Sequence, residues 1–178
     1  MRMKACLDVH YWNSSARGAC ILIQDWKSSA PVAEFLEHFE GIEPYVPGQF
    51  YRRESPCLLA LLKAAQQRHE GISAVVVDAF VWLGDYTKPG LGGYLFAALG
   101  QETPVIGVAK NWRSDAYPSA KVYRGENKRP LFISAAGMNL EEARDAVESM
   151  AGVFRMPMIL KRVDQLCRGV VEPRLSLG

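Results

Sequence analysis

Three stretches within the first forty residues alternate between apolar and polar positions, and the gaps between them are too short to hold a helix. They read "KACLDVHY", "GACILIQDW" and "PVAEFLEHF", separated by the turn-forming clusters "NSSAR" and "KSS". Alternation of this kind is the signature of strands with one face buried more than the other. Parallel neighbours need a crossover of about a dozen residues or more, whereas antiparallel ones need only a tight turn. The chain therefore starts as a three-stranded antiparallel meander.

The remainder has a different rhythm. "SPCLLALLKAAQQRH" predicts a helix capped by Ser55, with Pro56 at its first position and an apolar face of Leu58, Leu59, Leu62 and Ala65. "ISAVVVDA" and "PVIGVA" are continuous apolar runs, as in strands covered on both faces. "GGYLFAALG" between them reads as a short helix ended by Gly100. "AKVYRG" and "RPLFISA" can pair around the turn at Gly125, Glu126 and Asn127. Asn139 with Glu142 gives a variant capping box, and a last helix follows Pro157 and runs to about Cys167. The order meander, helix, strand, helix, strand predicts an α/β fold with a mixed sheet, antiparallel at the meander and parallel beyond it, flanked by helices. The ribonuclease H-like fold has this order, and other α/β folds share parts of it.

The 178 residues suit one domain, and 49% hydrophobic with 22% charged residues is ordinary for a globular protein. A net charge of +2 does not by itself demand a polyanionic partner. Cys6, Cys20, Cys57 and Cys167 are widely spaced with no paired-ligand spacing, which predicts buried thiols in a cytoplasmic protein rather than zinc. Asp8 interrupts the N-terminal stretch before any signal-peptide core can form, and no apolar run is long enough to span a bilayer.

Against this frame four carboxylates stand out. Asp8 lies inside the first strand and Asp78 ends the "AVVV" strand, where open α/β sheets place their sites. Glu54 stands before the first helix and Asp164 within the last. Any one of them could be a cap, a salt bridge or a solvated charge. Together, with the first strand beside the "AVVV" strand, they bring like charges close enough to need a cation, and oxygen ligands favour magnesium or manganese. Such a site activates water and stabilises charge on a phosphate.

One further stretch is too specific to pass over. "PYVPGQFYRRE" (44–54) packs two prolines, a glycine, two tyrosines and two arginines ahead of Glu54, and reads as a stiff, shaped loop. It resembles the signature loop of the endonuclease V family. "LDVHY", "VVVDA", "PVIGVAK", "RPLFISAAG" and "RMPMILKRVDQL" are similar, in the same order, to that family's first-strand motif before the loop and to its motifs after it. The resemblance covers nearly the whole chain and implies a single catalytic domain over residues 1–178. It implies a metal site of Asp8, Glu54 and Asp78 for magnesium or manganese, with Asp164 beside it and Lys110 as the catalytic lysine. It also implies a strand-separating wedge of Pro44, Tyr45, Val46, Pro47 and Gly48. Arg53, with Arg52, Lys88, Arg113 and Lys121, is a candidate contact to the nucleic-acid backbone. The expected partner is DNA or RNA, no membrane is involved, and the protein is expected to be a monomer.

The expected reaction is hydrolysis of a phosphodiester 3′ to a deaminated purine, inosine, in nucleic-acid repair. The chain departs from the family where the base is read. Ala79, Phe80, Val81 and Trp82 stand where the family carries small glycines and histidines, and Gly137-Met138 replaces a Gly-His. This leaves two alternatives: a nuclease of the same fold with altered or relaxed preference, or a non-catalytic nucleic-acid-binding homologue. If Phe80 and Val81 fill the base pocket, it is narrower or more apolar.

Overall fold

The computed structural model describes residues 2–44, 46–47, 49–69, 71–84, 87–116 and 118–174. The three alternating stretches form β1 (Met3–Trp12), β2 (Ser15–Ile23) and β3 (Ala33–Phe39). They pair antiparallel in the order β1–β2–β3. The β1–β2 turn is only two residues long, and Asn13 takes the positive φ (52°) that such a turn requires.

The first helix, α1 (Phe50–Arg68), begins earlier than its sequence signals suggest. Its N-cap is Gln49, and Ser55 and Pro56 lie inside it, so the arginine-rich half of the 44–54 stretch is helical rather than loop. Two contacts account for the extension. Tyr51 stacks on Tyr94 with ring centroids 3.6 Å apart, and the Arg53 guanidinium lies 3.9 Å above the Tyr11 ring. Tertiary anchoring of the first turns outweighs the single backbone donor lost at Pro56.

After α1 come β4 (Ile72–Val77) and a small hairpin of β5 (Trp82–Leu83) and β6 (Lys88–Pro89), absent from the sequence reading. Then follow α2 (Leu91–Ala98), β7 (Val105–Ala109), β8 (Ala120–Val122) and β9 (Leu131–Ala136). The chain continues through α3 (Leu140–Ser149) and α4 (Met158–Cys167). Asn139 caps α3 by accepting the Glu141 N–H at 2.8 Å, and α4 starts just after Pro157, as expected.

The main sheet has seven strands in the order β3-β2-β1-β4-β7-β9-β8. β1, β4 and β7 run parallel, and β9 and β8 then close the far side antiparallel. The parallel part is thus a centre with antiparallel flanks. Leu7, Leu22, Val75 and Val77 pack on one face against Leu58, Leu61 and Leu62 of α1 and Leu95 of α2. Ile21, Val76, Ile106 and Ile133 pack on the other against Val147 of α3 and Ile159, Val163 and Leu166 of α4. Residues of adjacent parity along β4, Val75 and Val76, enter opposite cores, as a strand between two helical layers must. Among the described residues no helix is long and apolar enough to cross a membrane.

Candidate active site

Strand register decides which carboxylates meet. Leu7 pairs with Val77 across β1 and β4, so the next residues along each strand are Asp8 and Asp78. Val77 in turn pairs with Gly107 of β7, and Lys110 follows directly on the end of that strand. The Lys110 Nζ donates to Asp78 Oδ2 at 2.7 Å, with both side chains about two-fifths exposed (40% and 38%). Glu54 comes from the opposite layer, on α1, and is buried at 6% exposure.

The electrostatics show that these groups feel one another. Burial first, and the charge of Asp78 second, push the Asp8 carboxyl up to about 7. Glu54 is raised well above the ordinary carboxylate range by burial, and further by Asp8 and Asp78. Burial disfavours the Lys110 ammonium, yet its hydrogen bond to Asp78 and the charges of Asp78, Asp164 and Asp8 prevail and strengthen its hold on the proton. Asp8 Oδ1 accepts the Val9 N–H at 2.9 Å, and its Oδ2 lies 3.6 Å from the Cys167 thiol.

Asp164 is on α4, one turn before Cys167. Its carboxylate accepts from Arg168 Nε at 2.8 Å, and it still lines the cavity into which Asp8, Asp78 and Lys110 open. Register and helix placement thus bring Asp8, Asp78, Lys110 and Asp164 to one opening, with Glu54 electrostatically coupled from behind.

Among the described residues no three His, Cys, Asp or Glu side chains converge closely enough to hold a metal ion as they stand. Asp78 is turned to Lys110, which supplies the local positive charge. The donor chemistry nevertheless fits a hard divalent cation. The groups are carboxylates, burial first and neighbouring carboxylates second disfavour the charged forms of Asp8 and Glu54, and Glu54 Oε2 is buried without a hydrogen-bond partner. A buried acceptor left unpaired costs about 1–3 kcal/mol, which a cation would recover.

Of the expected wedge, Tyr45 and Gly48 lie outside the described residues; Pro44, Val46 and Pro47 are exposed. Arg53 rests on Tyr11 and is half-buried, and Arg113 is paired with Asp115 at 2.8 Å. Phe80 and Val81 turn inward. Phe80 packs with Ala109, Ala116 and Phe132, and Val81 is fully buried with its N–H donated to Ser134 Oγ at 2.9 Å.

Sequence reasoning missed the other wall of the opening: Glu126 and Asn127 from the β8–β9 turn, Val153 to Met156 before α4, and Lys161 on α4. The only sequence signal was "GVFRMP", a pair of large apolar residues between a glycine and an arginine with no helical or strand period to bury them.

The family model for Endonuclease V matches residues 1–126. Among solved structures, the catalytic domain of human Endonuclease V is 21% identical, with a TM-score of 0.75 over 95% of this chain and 82% of that one. Endonuclease V of Ciona intestinalis, solved in complex with a 24mer DNA containing an inosine followed by a ribo-adenosine, is 16% identical. Its TM-score is 0.77 over 95% of this chain and 85% of that one. The Bacillus subtilis Endonuclease V is 18% identical, with a TM-score of 0.75 over 96% and 81%. No curated protein matches by sequence. At these identities the structural likeness establishes the fold, which is ribonuclease H-like. With the family model covering more than half its length, the chain belongs to the Endonuclease V family of nucleases.

Proposed function

We propose that residues 1–178 act as one catalytic domain, a divalent-metal-dependent endonuclease that hydrolyses the phosphodiester 3′ to a deaminated purine. The observation that carries this reading is the convergence of Asp8, within β1, with Asp78 and Lys110, which directly follow the ends of the adjacent parallel strands β4 and β7, and with Glu54 coupled to them. Binding alone needs none of these carboxylates. The inosine-containing DNA in the Ciona complexes supports the substrate class.

In this reading Asp8, Glu54 and Asp78 hold magnesium or manganese, which when bound supplies positive charge to the phosphate and acidifies water. The chain's own groups do the rest. Asp8, closely confined by Val9 and Cys167, presents its carboxylate from a fixed strand position. Lys110 is held protonated by its carboxylate neighbours, so its ammonium is available to a phosphate oxygen once Asp78 is engaged elsewhere. Asp164, tethered by Arg168, keeps a further negative group at the rim. Cleavage breaks the bond from phosphorus to the 3′-oxygen and leaves 5′-phosphate and 3′-hydroxyl ends. Tyr45 and its flanking prolines serve as the wedge, stacking where the base is turned out. The protein works as a cytoplasmic monomer on DNA or RNA.

A second reading, the same chemistry with relaxed base preference, is favoured by the inward-turned Ala79 to Trp82 segment. The Val81 N–H is spent on Ser134 and the Trp82 indole N–H on the Ala135 carbonyl. Labelled strands matched except for inosine or adenine, incubated with magnesium, manganese or chelator, separate the readings. Metal-dependent cleavage of inosine strands that disappears in Asp78→Ala, with strand binding kept, is the expected result. Equal cleavage of both strands selects the second reading, and turnover unchanged in Asp78→Ala removes the site.

A further inference from the structure

The carboxylates occupy only one side of their opening. The space continues into a cavity of about 630 Å³, well within the roughly 300–1,000 Å³ of ordinary ligand pockets and far more than an ion and a phosphate group need. Its outer wall is apolar and outward-facing. Phe154 is 71% exposed and Val153 76%, which the core does not explain. Lys161 brings a cation to the same wall, with Nζ 6.0 Å from the Phe154 ring centroid. Lys161 and Asp164 are three residues apart on α4 and so share a face.

This wall is held firmly. Arg124, buried, donates to the carbonyls of Met150 and Gly152 at 2.8 and 2.9 Å. On the other side of Phe154, Arg155 donates to the carbonyl of Pro130 at 2.7 Å and to that of Lys110 itself. Gly125 has φ +61°, and a Cβ there would collide with the Val153 carbonyl and sit 3.4 Å from Phe154 Cα. Phe154 is therefore an exposed ring on a backbone bolted to the strand end that carries Lys110.

We infer that Phe154 is a stacking platform for the base of a nucleotide adjoining the cleaved phosphodiester, with Lys161 meeting that nucleotide's phosphate. This rests on the nuclease reading for its placement beside the scissile bond. An aromatic face accepts any base, and such stacking is sequence-tolerant. Glu126 and Asn127, from the turn that packs against Val153, line the same cavity. A carboxylate there repels phosphate, so the strand's backbone runs on the Lys161 and Lys110 side and the base edge faces Asn127.

The test uses single strands containing inosine, with 2-aminopurine placed in turn at each of the two nucleotides on either side of it. Binding is read in the cleavage-defective Asp78→Ala protein, so that it does not depend on turnover. One position is expected to lose fluorescence on binding, to recover it in Phe154→Ala and to stay quenched in Phe154→Trp. Phe154→Ala weakens strand binding about tenfold and, in the active protein, raises KM while kcat stays within about twofold. An abasic site at the quenched position produces the same loss, and the two losses do not add. The ring is on the surface, so the unfolding temperature is expected to be unchanged. Wild-type binding and KM in Phe154→Ala, or no quenched position, overturn the subsite. Quenching by a protein that cleaves no strand with either metal supports the subsite and removes the nuclease reading instead.

Discussion

The strongest quantitative consequence of the site's geometry is that Asp8 works against the fold. Its carboxyl rises from 3.8 to about 7, through burial first and Asp78 second. A carboxyl that holds its proton more tightly when folded makes unfolding release a proton between those two values. Stability therefore falls as pH rises from about 4 to about 7 and levels off above, where the full cost of the buried charge is present. A difference of about three in pKa, at 1.36 kcal/mol each, sets a ceiling of about 4 kcal/mol.

Asp8→Asn removes this charge and keeps the shape. The amide oxygen still accepts the Val9 N–H that Oδ1 accepts now at 2.9 Å. In chelator at about pH 8 the variant is expected to be more stable than the wild type by roughly 1–4 kcal/mol, the lower values reflecting relaxation and water entry around the charge. At about pH 5 the folded carboxyl is protonated but the unfolded one is already ionised, so the difference should have fallen to under half, and it vanishes only below about pH 4. Urea unfolding at the two pH values measures both. Divalent metal at a hundred times its dissociation constant stabilises the wild type by about 2.7 kcal/mol, which narrows the difference at high pH and reverses it wherever the difference in chelator is smaller than that. Asp8→Asn equal to or less stable than wild type at pH 8 in chelator would refute the reasoning, since burial and Asp78 would then not disfavour the Asp8 charge.

Lys110→Gln is expected to lower cleavage about a hundredfold or more while changing stability by less than about 1 kcal/mol, because its pair with Asp78 is substantially exposed; single-turnover kinetics and a melting curve check the two halves. Arg124→Met removes a guanidinium that serves the carbonyls of Val147, Glu148, Met150 and Gly152 at the end of α3. It should cost about 3 kcal/mol or more in urea unfolding and loosen hydrogen-exchange protection in the residues before α4.

The parts of the site that were legible in the sequence are those set by strand register. Asp8 and Asp78 each end or interrupt an apolar run, and once β1 and β4 are neighbours their meeting follows. Lys110 follows from "PVIGVA" in the same way. Glu54 stood out as a carboxylate beside a helix start, and its membership of a metal site came from the resemblance. The proline after it points to a helix start, whereas its burial depends on α1 beginning at Phe50, held by Tyr51 on Tyr94 and Arg53 on Tyr11. The cavity wall was least legible. It exists because the β8–β9 turn and the segment before α4 come together at Gly125 and Val153, and no local period records a contact between two loops.

The departure at Ala79 to Trp82 takes on a different meaning in three dimensions. Large residues there suggest a base pocket narrowed by bulk, yet the bulk has been taken inward. A Cβ on Gly92 would come within 2.8 Å of Val81 Cγ2, one on Gly93 within 2.8 Å of Pro89, and one on Gly107 would collide with the Ala79 carbonyl. Glycines on the facing elements thus make room for the segment, and Ser134 and the Ala135 carbonyl tie it down. What the segment loses as a reader of bases is hydrogen-bonding capacity rather than space. Phe80 and Val81 carry no side-chain donor, and the Val81 N–H is already spent. A site that reads a base by hydrogen bonds discriminates by large factors, and one that offers only apolar contact discriminates by small ones. The second reading, relaxed selectivity with the chemistry kept, therefore predicts altered base preference without loss of cleavage, because Asp8 on β1, Glu54 on α1, Asp164 on α4 and Lys110 after β7 are all supplied by elements outside the rebuilt segment.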